Sequence, residues 1–149
     1  NKKFDLDFVR EIIEQAAIVY DSKKSAIVEL GGGVPKNTAQ QTGPLLDQIL
    51  KRNDGGQDYI IQITDARPDT GGLSGATLQE GKSWGKIHDA HEGMVTVYAD
   101  ATTAVPILDL YVLSNQQSRE PKRLYKKIGE LYNKLSKDYF KNPNNIKKE

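Results

Sequence analysis

The chain has 149 residues and a mass of 16.6 kDa, 37% of it hydrophobic and 28% charged, which suits one domain with a true core. It has no cysteine, which excludes disulfides, thiolate catalysis and cysteine-ligated metals, and no 18-residue apolar span or signal-peptide pattern, so neither export nor membrane insertion is expected and a cytoplasmic location is the default. The net charge of +1 is unevenly spread: residues 119–149 hold 10 Lys and Arg against 4 Asp and Glu, leaving 11 against 16 for residues 1–118, and a mildly acidic body favours a cationic ligand over nucleic acid.

Asp5 and Asp7 precede Phe8, Ile12, Ile13, Ala16, Ala17 and Tyr20 at helical spacing, which predicts a capped first helix. The apolar run Ala26–Leu30 reads as a buried strand ending at Gly31-Gly32-Gly33. Pro35 fits the first turn of a second helix that continues through Leu45, Leu46, Ile49 and Leu50 to a turn at Asn53-Asp54-Gly55-Gly56. Tyr59–Thr64 is the next strand, and after a loop at 65–76 Thr77 opens a short helix that includes Glu80 and Trp84. Residues 94–99 form a third strand, followed by a helix over 102–114 with Pro106 in its first turns. Beyond Ser118, Leu124, Ile128, Leu131 and Leu135, with Tyr125, Tyr132 and Tyr139 beside them, make an amphipathic helix that needs a packing partner, and residues from Asn142 onward are expected to fray.

Strands alternating with helices imply parallel pairing through right-handed crossovers. The expected fold is therefore α/β, a three-layer Rossmann-like parallel sheet with helices on both faces, plus a C-terminal amphipathic helix. The expected division is a body over 1–118 and a basic helical tail over 119–149.

In open parallel sheets ligands bind outside the carboxyl ends of the strands, and three loops fall there, 31–37, 65–76 and 99–102. They are rich in Gly, Asp, Asn, Ser and Thr, which expose backbone N–H groups to phosphates or hydroxyls. Gly31-Gly32-Gly33 lies where a backbone approaches a dinucleotide, although it is not the G-x-G-x-x-G fingerprint. Asp100 is placed either to accept from a ribose or an amide, or to cap the helix at 102.

Glu80-Gly-Lys-Ser-Trp-Gly-Lys86 is the most informative segment. Most lysines are solvated surface charges, but an amine forms an imine only when neutral, and desolvation beside an apolar ring such as Trp84 favours the neutral form of Lys86. Trp84 also offers a face for a cationic amine. Glu80 is either part of an amine site or the second half of a Thr77-x-x-Glu80 capping box. Asp65, Asp69, His88 and His91 match the spacing of no common metal site, and no metal is expected.

The runs from Leu30 to Asn37, from Gln62 to Ala76, Ser83-Trp84-Gly85-Lys86, and from Val97 to Thr102 together resemble the C-terminal half of deoxyhypusine synthase, above all its prokaryotic members, over about residues 26–113. The resemblance implies an NAD-dependent transfer of the aminobutyl group of spermidine, held as an imine on a lysine that Lys86 matches. It implies that Glu80 anchors an amine, that Trp84 and the loop Gly71, Gly72 and Leu73 line the amine tunnel, and that Gly32, Asp65, Ala66, Asp100 and Ala101 contact the dinucleotide. Asn37 stands where eukaryotic members have a histidine, and Leu73 where they have an aspartate, for which Asp69 is a near substitute. These departures resemble bacterial relatives and leave the acceptor open between the lysine of a translation-factor five-A precursor and a small amine such as putrescine, as in homospermidine synthases.

Family members are roughly twice as long, so the chain is expected to be a fragment, a processed product or one chain of a split enzyme. The resemblance implies a homotetramer, or a hetero-oligomer with a chain supplying the N-terminal half. A non-catalytic subunit that kept the fold is the alternative function.

Overall fold

The computed structural model of the chain describes residues 6–52, 56–88, 93–115 and 120–141. Helix α1 spans Phe8–Asp21 and starts at Asp7, whose Oδ1 accepts from the Arg10 N–H at 2.9 Å. That satisfies one of the donors left free at a helix start. Asp5 lies outside the described residues, as do Asn53-Asp54-Gly55 of the expected turn and the tail beyond Lys141.

Strands β1 (Ala26–Leu30), β2 (Tyr59–Thr64) and β3 (Met94–Tyr98) form a parallel sheet in the order β1-β2-β3. Ile27 pairs with Ile60 and Glu29 with Gln62, while Ile60 pairs with Met94 and Thr64 with Tyr98. The fold is thus α/β with a three-stranded parallel sheet, consistent with a Rossmann-like arrangement and a C-terminal helix.

The expected single helix over 35–50 is broken into pieces. Helix α2 covers Val34–Gln40, a single turn α3 covers Thr42–Pro44, and Leu45–Ile49 widens into a π-helical turn. Pro44 explains the break, because it has no N–H to return to the carbonyl four residues back and its ring crowds that carbonyl. The loop after β2 contains two 3-10 turns, Pro68–Thr70 and Leu73–Gly75. Helix α4 (Leu78–Ser83) is shorter than expected, with Trp84 as its C-cap. Helix α5 covers Ala101–Asn115 and carries Pro106 internally, and α6 covers Ile128–Phe140 after a 3-10 turn at Leu124–Lys126.

Among the described residues, two hydrophobic clusters hold these parts together. One is helical: Ala16 and Ala17 of α1, Leu46 of the π turn, and Leu131 and Leu135 of α6. The other, Ile60, Leu78 and Ile87, fixes α4 on the sheet. Between them the sheet face toward α2 and α4 is unusually polar, with Glu29, Lys36, Gln40, Thr42, Gln57, Gln62 and Thr64 all buried. The opposite face carries Val28, Leu30, Val95 and Val97 at 37–55% exposure, and α5 contributes no buried residue.

The tail helix α6 therefore belongs to the core through α1. Leu135 is 1% exposed. Leu135→Ala is expected to cost about 2–5 kcal/mol, the usual range for a buried leucine that leaves a cavity, as a lowered urea midpoint at unchanged m-value.

Candidate functional site

Lys86 follows α4 through the turn Trp84-Gly85. Gly85 has φ +72°, and the Lys86 N–H returns to the Gly81 carbonyl at 3.0 Å. The backbone here rests on other backbone. A Cβ on Gly43 would lie 2.7 Å from the Gly85 carbonyl oxygen and 2.8 Å from Gly56, so α3, the lead-in to β2 and the turn before Lys86 meet with no side chain between them. Ile87 bridges to Gln57 just ahead of β2, and the Gln57 N–H binds the Lys86 carbonyl at 3.1 Å.

From this turn the half-buried Lys86 side chain reaches α2, where Nζ donates to Asn37 Oδ1 at 2.7 Å. The two sequence-predicted residues on separate elements are thus brought together. The other predicted amine-site residues are more open. Trp84 is 68% exposed and Leu73 is 48% exposed, with Gly71 and Gly72 exposed beside it. Glu80 is exposed in the first turn of α4, where its N–H donates to Thr77 Oγ1 at 3.2 Å, the first half of a capping box.

The predicted dinucleotide positions follow the carboxyl ends of the strands, Gly32 after β1, Asp65 and Ala66 after β2, and Asp100 and Ala101 after β3, and of these Asp65 alone lines the opening there. Asp65, Arg67, Pro68, Asp69, Tyr98 and Ala99 line an opening of about 680 Å³, and Lys86 and Asn37 are not among its lining residues. Arg67 is paired with Asp69 at 3.0 Å, and the Ala66 N–H binds Thr64 Oγ1 at 3.1 Å. Asp100 takes the capping role: its Oδ1 accepts from the Thr102 N–H at 2.8 Å and the Thr102 hydroxyl at 2.7 Å, and these bonds hold its carboxyl below the usual value. Ala101 begins α5. Gly32 has φ +140°, and a Cβ there would meet Lys36 Cδ at 2.6 Å, so the glycine is needed for the Lys36 stem to pass. His88 is exposed and His91 lies outside the described residues; among the described residues no group of three or more His, Asp or Glu could hold a metal.

Sequence reasoning did not single out Glu29, Lys36 and Gln40. Glu29 and Lys36 are 4% and 6% exposed. Gln40 Nε2 donates to Glu29 Oε1 at 2.6 Å, and Lys36 Nζ donates to the Ala76 carbonyl at 2.6 Å. Burial raises the Glu29 pKa, opposed by the Gln40 hydrogen bond and by the charges of Lys36 and Lys86. Burial lowers the Lys36 pKa, opposed by Glu29 and Glu80 and assisted by Lys86. The signal was present as a lone carboxylate inside the apolar run Ala26–Leu30, where a charge on a buried strand requires a partner.

Comparison with known proteins gives a consistent result. The deoxyhypusine synthase family model matches residues 1–112. The chain is 49% identical over 141 residues to a deoxyhypusine synthase-like protein of Nostoc punctiforme, covering 91% of this chain and 36% of that one. It is 44% identical over 106 residues to the probable deoxyhypusine synthase 2 of Methanosarcina acetivorans, covering 71% of this chain and 30% of that one. It is 41% identical over 112 residues to the probable deoxyhypusine synthase 1 of Archaeoglobus fulgidus, covering 75% and 34%. The chain thus spans about a third of the length of these relatives.

The depressed proton affinity of Lys36 fixes the sign of one pH effect. The folded state releases this proton at a lower pH than the unfolded chain, so the unfolded chain binds more protons between the two values and stability rises with pH there. The unfolding free energy of the protein minus that of Lys36→Met is expected to grow as pH is raised toward 10.5, the ordinary lysine value. Urea titrations across that range measure it, and a flat or falling difference would contradict a buried, desolvated ammonium.

Proposed function

The chain belongs to the deoxyhypusine synthase family, and we propose that it carries the reactive-lysine part of an enzyme that moves the aminobutyl group of spermidine to an acceptor amine. The observation that supports this most directly is the 2.7 Å hydrogen bond between Lys86 Nζ and Asn37 Oδ1. Lys86 is the nucleophile. Its neutral amine adds to the C=N carbon of oxidised spermidine, expels the aminopropyl part as a free diamine, and holds the aminobutyl fragment as an imine until an acceptor amine displaces it. The Asn37 amide oxygen is an acceptor with no proton to give at neutral pH. It orients the lysine amine and leaves proton transfer to other groups.

Glu80 is the carboxylate proposed to anchor an amine of spermidine. Trp84 provides an aromatic wall, and Gly71, Gly72 and Leu73 the lining loop. The donor set at the strand ends suits a dinucleotide. The carboxylates of Asp65 and Asp69 are acceptors for ribose hydroxyls and the Tyr98 ring is a flat wall, while Gly32, Ala66 and Ala101 are small residues next to the strand ends proposed as further contacts. NAD bound there supplies a hydride acceptor and later a hydride donor. Asp100 contributes through the helix start it caps, since its Oδ1 is occupied by Thr102.

The exposed apolar residues support association with further protein, either in a homotetramer or with a chain supplying the N-terminal part. Val28, Leu30, Val95 and Val97 on the sheet, and Ile107, Leu110, Tyr111 and Leu113 of α5 at 66–70% exposure, are large apolar side chains left open to a partner.

The test is to incubate the full-length protein with NAD and spermidine, reduce with borohydride and map the product by mass spectrometry. An aminobutyl adduct on Lys86 is expected, absent in Lys86→Ala and formed about 10²-fold more slowly in Asn37→Ala, the usual scale for a misplaced reacting group. No adduct with both ligands shown to bind would sink the proposal in favour of a non-catalytic subunit. Putrescine and a five-A precursor supplied in turn then identify the acceptor.

A further inference from the structure

Glu29 and Lys36 are buried charges that the reaction proposed for Lys86 does not use. Lys36 stands beside Asn37 in the first turn of α2, and its Nζ reaches across to the loop after β2, donating to the Ala76 carbonyl at 2.6 Å and lying 3.5 Å from that of Leu73. It therefore bridges the helix that holds Asn37 and the loop that holds Gly71, Gly72 and Leu73. The carbonyls offer this cation acceptor oxygens but no net charge.

Glu29 on β1 faces the same layer. Its Oε1 is held by Gln40, while Oε2 is buried with no hydrogen-bond partner. A buried ammonium on neutral carbonyls persists only with a counter-charge in reach, and removing one member of a buried pair leaves the other uncompensated. Glu29 is the buried carboxylate that acts on Lys36, with Glu80 assisting from the surface and Lys86 opposing.

We propose that Lys36 is a positioning residue that clamps the 68–76 loop to α2, and that Glu29 is the counter-charge that keeps the clamp closed. The clamp holds the lining of the amine site in register with the Lys86–Asn37 pair. That consequence rests on the reaction proposed above, whereas the clamp itself does not.

Hydrogen exchange of residues 68–77, read by mass spectrometry in the full-length protein, tests it. Lys36→Met and Glu29→Leu are each expected to speed exchange there at least about tenfold, and the double variant no further than Lys36→Met alone, as for two residues in one device. The milder Glu29→Gln keeps the shape and removes the charge. Its exchange relative to the parent protein at the same pH should be fastest while Lys36 is charged and fall as pH rises, because without the carboxylate the closed loop buries a less compensated ammonium, and loss of the proton relieves that cost. This variant and the double variant carry the test if Glu29→Leu does not fold.

Unchanged loop exchange in Glu29→Gln and Glu29→Leu, or multiplicative effects in the double variant, would overturn the clamp. Borohydride trapping on the same samples separates the two ideas. A responsive loop without any adduct in the parent protein discards the reaction and keeps the clamp, whereas an adduct with an unresponsive loop discards the clamp alone.

Discussion

The arrangement around Lys86 depends on a buried polar layer between the sheet and its helices. Glu29, Lys36, Gln40, Thr42, Gln57, Gln62 and Thr64 occupy positions where an α/β domain usually buries aliphatic side chains. Such a layer is stable only where its groups are paired, since each unsatisfied buried donor or acceptor costs about 1–3 kcal/mol. Most are paired between elements and not within them: Gln57 with Thr42 at 3.2 Å, Gln62 with the Ser74 carbonyl at 3.3 Å, Gln40 with Glu29 and Lys36 with Ala76. Hydrogen bonds have a length and a direction that apolar contacts lack, so this layer fixes register where an oily interface would only fix distance.

Apolar packing is placed elsewhere. One cluster joins α1, α6 and the π turn, while the smaller Ile60, Leu78 and Ile87 cluster seats α4. The helix that ends at Trp84 is therefore anchored by apolar contact, and the side chain that follows it is aimed by polar contact. The opening at the ends of β2 and β3 is built differently again, from exposed carboxylates and an arginine whose charges remain in water. Charges in that setting contribute little to stability, so these residues are available for ligand recognition at small cost to the fold.

The sheet was legible in the sequence because β1 and β2 are short apolar runs bounded by glycine and turn residues, and both were located to the residue. The first helix was equally clear from Asp7 and its apolar stripe. The second helix was not, because its apolar spacing continues through Pro44 and periodicity alone does not register a missing donor. An amphipathic pattern shows that α6 has a face to bury but not against what, and the answer, α1, lies more than a hundred residues away. In the site, Lys86 and Asn37 were recognisable separately, and only the fold brings them to 2.7 Å. Asp100 satisfied two readings by position, and the Thr102 hydrogen bonds show it in the capping one through Oδ1. Glu29 and Lys36 escaped notice because a single charge in a strand and a lysine in a first turn look ordinary until their burial is known.

The meeting of Gly43, Gly56 and Gly85 has a consequence for the motion of Lys86. Where backbones touch directly there is no rotamer to relax, so α3, the lead-in to β2 and the turn before Lys86 shift together or not at all. The wander of the lysine amine then comes chiefly from the torsions of its own side chain, and the Asn37 hydrogen bond removes much of that freedom before any ligand arrives. The ordering entropy of a long, flexible side chain is met during folding and not at the moment of reaction.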